Sequence, residues 1–336
     1  MSPSPSEASV APPARVHRYE RPDTVSEVLD GLSPDRSVLA GGTDLVPLMR
    51  SRLAHPDVIV DVKATELDRS ITVDDDTVRI GALATLAEIA ADPALQRAAP
   101  VLTEAVGQAA TTQLRNRATL GGNLLQEPRC EYYRMADVRC WRKGGDGCPA
   151  RDGVAHHHAV FETERPCVAV HPSDPAAALI ALKATVELRS GSGERSMAME
   201  EFLSPSTEDR RREHRLAPDE LITAVTFAPA PNSTYVKIMD RATWAFALVS
   251  VAAVVELDDT TVTGSSVVAG GVAAVPLRLT TVEAAINGRA SADLGIDVVA
   301  QHCADGAAPL DDTTYKLRLL TAAVGDALKR LAAEAS

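Results

Sequence analysis

Residues Ala118–Asp174 read ATLGGNLLQEPRCEYYRMADVRCWRKGGDGCPARDGVAHHHAVFETERPCVAVHPSD. The segment opens on Gly121-Gly122 and closes on Ser173-Asp174. Between them lie Cys130, Cys140, Cys148 and Cys167, four of the five cysteines of the chain, spaced C-x9-C-x7-C-x18-C. Four thiols in one loop-like stretch of a cysteine-poor chain point to a metal or to disulfides. A reducing compartment favours metal thiolates. A [4Fe–4S] cube takes four thiolates. Zinc also takes them, but structural zinc sites usually contain a tight C-x2–4-C knuckle, which is missing here. Buried inert thiols are the remaining reading. Gly144, Gly145, Gly147 and Pro149 would let the loop wrap a compact centre. Arg129, Arg134, Arg139, Arg142 and Lys143 would offset the charge of four thiolates, or are simply exposed. His156-His157-His158 could supply a ligand or form a surface run. Cys303 stands apart beside Val298 and Val299 and reads as a core residue.

Outward from this segment, the chain has 336 residues, enough for two domains. It is 45% hydrophobic, enough to bury a sizeable core, and carries a net charge of −12, which argues against nucleic-acid binding. No apolar run approaches the roughly 18–20 residues of a membrane span. The first residues, MSPSPSEASVAPPAR, read as a disordered tail and not a signal peptide, so a cytoplasmic location is expected, with export alongside a signal-bearing partner still open.

Towards the N-terminus, Val16–Tyr19 reads as a strand, Thr24 as the cap of a helix carrying Val25, Val28, Leu29 and Leu32, and Ser37–Ala40 as a second strand. Leu45–Arg50 is helical and Val58–Val62 a buried strand, giving an α/β unit. Thr77–Leu83 follows as a strand, then helices Leu86–Ala91 and Ala94–Ala109. After the cysteine segment, Asp174–Leu182 is helical and Ala184–Arg189 and Leu221–Phe227 are strands. Glu208–Arg215 is a charge run expected to be a solvated loop. A Pro-rich break at Ala228–Asn232 marks a domain boundary. Beyond it, Phe246–Leu257 and Thr261–Ala269 form a hairpin across Asp258-Asp259-Thr260. Val282–Ile286, Gly295–Cys303 and Tyr315–Ala333 are helical, which makes a smaller α+β unit.

Two diglycine turns, Ala40-Gly-Gly-Thr-Asp-Leu45 and Leu120-Gly-Gly-Asn-Leu124, have matching patterns. Glycine lets the backbone approach a ligand closely, and successive N–H groups make an anion-binding nest. Read alone, each is also an ordinary tight turn. Neither G-x-G-x-x-G nor a Walker A sequence occurs.

AGGTDL, ATLGGNL, HPSD and YVKIMDRATWAFALVSVAAVVEL together resemble the FAD-binding medium subunits of the molybdenum hydroxylase (xanthine dehydrogenase) family, over nearly the whole chain from about Val16. The long four-cysteine connection after GGN resembles two branches, the aldehyde oxidoreductase flavoprotein subunit and the 4-hydroxybenzoyl-CoA reductase β subunit. The wide Cys148–Cys167 gap and the HHHAV run favour the former. The resemblance implies an α+β chain: a two-lobed vanillyl-alcohol-oxidase (PCMH-type) FAD-binding fold, then a domain like the C-terminal domain of the CO dehydrogenase flavoprotein. The implied division is a disordered tail at 1–14, an FAD-binding domain at 15–231 and a C-terminal domain at 232–336. Within the FAD-binding domain the lobes are 15–65 and 66–231, with an iron–sulfur insert at 127–170.

By the same resemblance, Ala40, Gly41, Gly42, Thr43, Asp44 and Leu45 would wrap the FAD pyrophosphate, and Ala118, Thr119, Gly122, Asn123 and Leu125 would form a second contact. Ser173 and Asp174 would bond the cofactor's polar chain, Lys237 would lie near the flavin, and Leu221 or Ile222 would pack beside it. Read without the resemblance, Asp174 is a helix cap and Lys237 a solvated strand end. Cys130, Cys140, Cys148 and Cys167 would hold a [4Fe–4S] cluster. No catalytic group is expected on this chain. The implied partners are a small [2Fe–2S] subunit and a large molybdenum-cofactor subunit, in a heterotrimer or a dimer of heterotrimers. The chain would pass electrons between the partner's clusters and an external acceptor, most readily in aldehyde oxidation. The alternatives are a hydroxybenzoyl-CoA reductase-like or xanthine dehydrogenase-like subunit, a self-sufficient flavin oxidase, and a non-enzymatic scaffold with a zinc loop.

Overall fold

The computed structural model describes residues 18–241 and 245–334. The tail at 1–14, the start of the Val16–Tyr19 strand and the centre of the Arg241–Phe246 segment lie outside them. Among the described residues, twelve strands form three sheets. The first sheet holds β1 (Arg18–Glu20), β2 (Arg36–Leu39) and β3 (Val58–Asp61) in the order β1-β3-β2, all parallel. Parallel pairing requires crossovers, and helices Val25–Asp30 and Leu45–Arg50 supply them. Thr24 starts the former with a capping box: its side chain accepts from the Glu27 N–H while Glu27 reaches back. Val25, Val28 and Leu29 bury one face of that helix against Val58 and Val60.

The second sheet is antiparallel, β4-β5-β8-β6-β7, built from β4 (Ile71–Val73), β5 (Val78–Gly81), β6 (Thr185–Ser190), β7 (Gly193–Ala198) and β8 (Glu220–Phe227). Strand β8 is central, pairing Val225 with both Ile80 and Val186. The helices of 86–108 and Asp174–Ala181 cover it; the latter is buried along its whole length. The expected single helix Ala94–Ala109 is two, Pro93–Ala98 and Pro100–Gln108, because Pro100 lacks the N–H that continuation needs and disfavours helical backbone at Ala99.

The third sheet, β12-β11-β10-β9, holds β9 (Ser233–Ile238), β10 (Val249–Asp258), β11 (Thr261–Gly270) and β12 (Leu277–Arg278). The β10–β11 hairpin turns at Asp259, in the left-handed region at φ +53°. The long helix Tyr315–Glu334 packs Leu320, Val324, Leu328 and Leu331 onto this sheet. Two sequence expectations shift here. The strand starts at Val249, leaving Phe246 exposed, and the Gly295–Cys303 helix shortens to Ile296–Val299. Cys303 is fully buried in this core, as expected. The Pro-rich break lies between β8 and β9, yet Tyr235, Ala252, Val254 and Val268 share one apolar cluster with the second sheet.

The 127–170 segment leaves from the helix Leu120–Leu124 and returns at Asp174–Ala181. Its second half is stitched into the C-terminal unit. Val160 and Phe161 donate N–H bonds to the Val272 carbonyl (2.8 and 3.1 Å), Ala308 donates to the Val160 carbonyl (2.8 Å), and both side chains join the third sheet's core. Among the described residues, no helix is long and apolar enough to cross a membrane.

Candidate functional site

The first glycine turn follows β2 directly. A Cβ on Gly41 would stand 2.0 Å from the Arg117 carbonyl oxygen, so only glycine allows this backbone to lie against Arg117-Ala118. Gly42 is in the left-handed region at φ +74°. Among the described residues, the N–H groups of Gly41, Gly42 and Thr43 meet no acceptor. Three consecutive free donors in a half-buried turn form a nest for an anion.

The second glycine turn differs from the first, contrary to their matching sequence patterns. Gly121-Gly122 forms part of the helix Leu120–Leu124, capped by Thr119, whose hydroxyl accepts from the Gly122 N–H. Leu120 and Gly121 donate to the Ala84 and Ala82 carbonyls (2.9 and 3.0 Å). Its amides are therefore occupied, and Gly121 serves close packing against Ala82. What this turn offers is its position, in backbone contact with the first.

The two ends of the insert meet. Ser173 donates its hydroxyl proton to Asn123 Oδ1 (2.6 Å) and caps the next helix by accepting from the Ala176 N–H (3.2 Å). His171 Nδ1 accepts from the Ser173 N–H (3.3 Å), and the ring also bonds the Leu124 backbone. Burial pushes this imidazole down to about 4, with further lowering from its neighbours His214 and Arg142.

Asp174 turns away from Asn123. Its carboxylate accepts from the Tyr235 hydroxyl (2.6 Å) and the Lys237 ammonium (2.7 Å). Both side chains are buried, 7% exposed for Asp174 and 0% for Lys237, so Lys237 is not a solvated strand end. Burial raises the Asp174 carboxyl, and Lys237 opposes that rise. Lys237 also donates to the Gln108 carbonyl (3.1 Å). Ile222 and Leu221 are buried in β8 on opposite faces, in different apolar clusters. Leu125 is half-buried at the end of the 120–124 helix.

Asp44 ties the first turn to the insert. One oxygen meets Arg129 and Arg134 (2.9 and 3.0 Å), and the other accepts from the Glu127 N–H (2.8 Å). Ala40 offers its carbonyl to Lys63 (3.0 Å), and Leu45 begins a helix.

Inside the insert, Cys130, Cys140, Cys148 and Cys167 line one cavity together with Tyr132, Tyr133, Trp141, Arg142, Pro149 and Ala169. Cys140 is buried and the other three half-buried. All four are free, so the disulfide option lapses among the described residues. Burial pushes the Cys167 thiol up to about 12 and raises Cys130, while the N–H groups of Tyr133 and Tyr132 hold Cys130 back. Among the described residues, no three His, Cys, Asp or Glu side chains converge on a point that one metal ion could occupy.

Of the five basic residues near the cysteines, only Arg142 lines the cavity. It is 5% exposed and clamped between Glu127 (2.6 Å) and Glu213. Burial alone would lower the guanidinium, but these two carboxylates raise it. Arg129 and Arg134 serve Asp44, Lys143 donates to the Tyr132 carbonyl (3.1 Å), and Arg139 is exposed.

The Glu208–Arg215 run is a solvated loop only in part: Glu208, Asp209, Arg212 and Arg215 are exposed, while the rest is held down. Glu213 is buried on Arg142, Arg211 stacks on Trp141 (4.8 Å), and His214 packs on Phe202 (6.0 Å). Opposite charges inside the insert hold the run down, and no local pattern in the run signals them. The three histidines also part company: His156 stacks on Tyr315 (4.7 Å), His157 pairs with Asp240 at the surface (3.2 Å), and His158 is buried.

Comparison with known proteins bears on both halves. Residues 14–231 match the family described as the FAD binding domain in molybdopterin dehydrogenase, and residues 234–334 match the CO dehydrogenase flavoprotein C-terminal domain. The aldehyde oxidoreductase FAD-binding subunit PaoB of Escherichia coli K12 is 36% identical over 94% of this chain and 98% of its own length. The nicotinate dehydrogenase FAD-subunit of Eubacterium barkeri is 28% identical over 74% of this chain and 70% of its own. Quinoline 2-oxidoreductase of Pseudomonas putida 86 shares the fold, with a TM-score of 0.74 at 20% identity over 95% of this chain and 98% of that one. Carbon monoxide dehydrogenase of Hydrogenophaga pseudoflava gives 0.73 at 23% identity over the same shares. The expected fold, an FAD-binding domain followed by a CO dehydrogenase flavoprotein C-terminal-like domain, is the fold found.

Proposed function

The chain belongs to the FAD-binding medium subunits of the molybdenum hydroxylase family and is an oxidoreductase subunit; from this premise we propose that it is the electron-transfer subunit of an aldehyde-oxidising complex, carrying FAD and a [4Fe–4S] cluster. The observation that carries the cluster is the single cavity lined by Cys130, Cys140, Cys148 and Cys167. A zinc ion would need its thiolates to converge at about 2.3 Å. A cube spreads them over four irons, which suits thiols that share a cavity without converging on one point.

FAD, when bound, supplies a junction between one-electron and two-electron chemistry. Ala40–Leu45 would hold its pyrophosphate through the free N–H groups of Gly41, Gly42 and Thr43. Asp44 would act indirectly, by fixing the insert to that turn. Ala118, Thr119, Gly122, Asn123 and Leu125 would line the second side, mainly through side chains and shape, since that turn's amides are occupied. Ser173 would orient Asn123. Asp174 would hold Lys237 in place, and Lys237 and Ile222 would face the flavin end. Arg142 would offset the charge of the thiolates with a cation that stays protonated.

The proposed units are 15–231, with lobes 15–65 and 66–231 and the insert 127–170, and 232–336. The proposed partners are a small [2Fe–2S] subunit and a large molybdenum subunit in a heterotrimer or its dimer, in the cytoplasm. Support for aldehydes comes from the 36% identity to an aldehyde oxidoreductase subunit along almost the whole chain. The test is anaerobic co-purification with the partner subunits. Aromatic aldehydes should bleach the flavin of the complex and leave the flavin of the isolated chain untouched. Bleaching in the isolated chain would reject the electron-transfer role.

A further inference from the structure

His158 is the buried member of its run, and its Nε2 lies 3.2 Å from the Cys130 sulfur. We infer that His158 is a positioning residue for the cluster, donating an Nε2–H hydrogen bond to the Cys130 sulfur and raising the cluster's reduction potential. The inference rests on the cluster reading above.

Three observations carry it. First, the backbone that carries the ring is held in place. The His158 N–H donates to the Ala155 carbonyl (2.9 Å), and its carbonyl accepts from Lys316 (2.8 Å). Lys316 is itself fully buried and donates also to the Gly271 carbonyl (2.8 Å), so the C-terminal unit clamps the backbone of His158. The next residue, Ala159, donates to Val168 (3.0 Å), which fixes the chain on the far side.

Second, the tautomer follows from the surroundings. His158 Nδ1 is buried and, among the described residues, makes no hydrogen bond of good geometry, the Ala155 carbonyl being the backbone group beside the ring. A neutral imidazole carries one proton. On Nδ1 it would be a buried donor without a well-formed hydrogen bond. On Nε2 it has the sulfur to bond.

Third, a thiolate bound to iron has no proton to give and can only accept. The ring must then be the donor. The Tyr132 and Tyr133 N–H groups lie beside the same sulfur and would add to the His158 bond. Hydrogen bonds to cluster sulfurs stabilise the added electron, and with it the reduced state.

The test is an EPR-monitored redox titration of the whole complex, purified anaerobically, with His158→Leu and His158→Gln beside the unsubstituted protein. With iron content equal, His158→Leu should shift the cluster to a more negative potential, and His158→Gln, which keeps an N–H donor, should recover most of the shift. An unchanged potential in His158→Leu at full iron content overturns the inference, as does a Gln variant shifted as far as the Leu variant. If His158→Leu fails to load iron, pulsed EPR on the unsubstituted protein with 15N-labelled histidine decides. Nitrogen coupling to the reduced cluster supports the inference and its absence overturns it. Unsubstituted complex with no iron beyond that of its two [2Fe–2S] clusters overturns the parent reading instead, and iron analysis shows this before any potential is read.

Discussion

Single residues decide whether the two glycine turns can touch. Gly41→Ala places a methyl 2.0 Å from the Arg117 carbonyl, and the group it meets is backbone, which cannot swing aside. Overpacking of this kind costs about 1–3 kcal/mol, and chemical denaturation should show a loss in that range. Flavin retention on a desalting column should fall with it; full retention in Gly41→Ala would mean that the turn does not hold the cofactor. Asp174 and Lys237 form a buried pair, and removing one partner of such a pair costs about 3–5 kcal/mol. Asp174→Ala and Lys237→Met should each show a loss of that order. The double variant should lose clearly less than the sum, and additivity would refute the coupling. The motif residues themselves were visible in the sequence, but their side-chain roles were not. Asp44 and Asp174 look like cofactor contacts in a motif, yet each carboxylate is committed to cations from elsewhere in the chain. Partners 63 to 90 positions away leave no local signal.

Among elements, the returning end of the insert carries a pH dependence. His171 sits at about 4 against an ordinary 6.5 because burial disfavours its charged form. A depressed folded value means that the unfolded chain takes up the proton first. The contribution is therefore complete above pH 6.5 and is lost as pH falls toward 4, by roughly 3 kcal/mol at 1.36 kcal/mol per unit. In the folded chain the ring takes up its proton only near pH 4, where the Nδ1 acceptor for the Ser173 N–H is lost, so flavin release should set in there, below most of the stability loss. His171→Gln should flatten the pH profile; an unchanged profile would assign it to other groups. Arg142 governs the other half of the insert. Arg142→Met strands Glu127 and Glu213 and should cost about 3–5 kcal/mol, read as a lower midpoint in urea. Most elements were legible, because apolar periodicity marks a helix such as Tyr315–Glu334 and alternating or continuous apolar runs mark strands. Strands β4, β7, β9 and β12 were not: β4 and β12 have only three and two residues, β7 is largely exposed and polar, and β9 interrupts its apolar residues with Ser233, Thr234 and Lys237. The charge run 208–215 misled for the opposite reason: burial there depends on Trp141 and Arg142, far away in sequence.

On the scale of the molecule, the insert is more than a loop carried by the flavin fold. It closes on itself at Asn123–Ser173, is pinned to the first glycine turn through Asp44, and enters the C-terminal core through Val160 and Phe161. Three regions thus hold the insert in place, and the insert's own residues line the cysteine cavity. The division into a flavin fold and a C-terminal unit could be read from the motifs and the Pro-rich break. The seam between them could not, because it is made of backbone bonds to Val272 and of apolar contacts that have no sequence signature. The most direct measurement of the central claim is metal and flavin content of the chain purified without oxygen, alone and as a variant with all four insert cysteines changed to serine. The account predicts one FAD and about four irons per chain, with the iron lost and the flavin retained in the variant. Zinc in place of iron, or iron unaffected by the four substitutions, would contradict it.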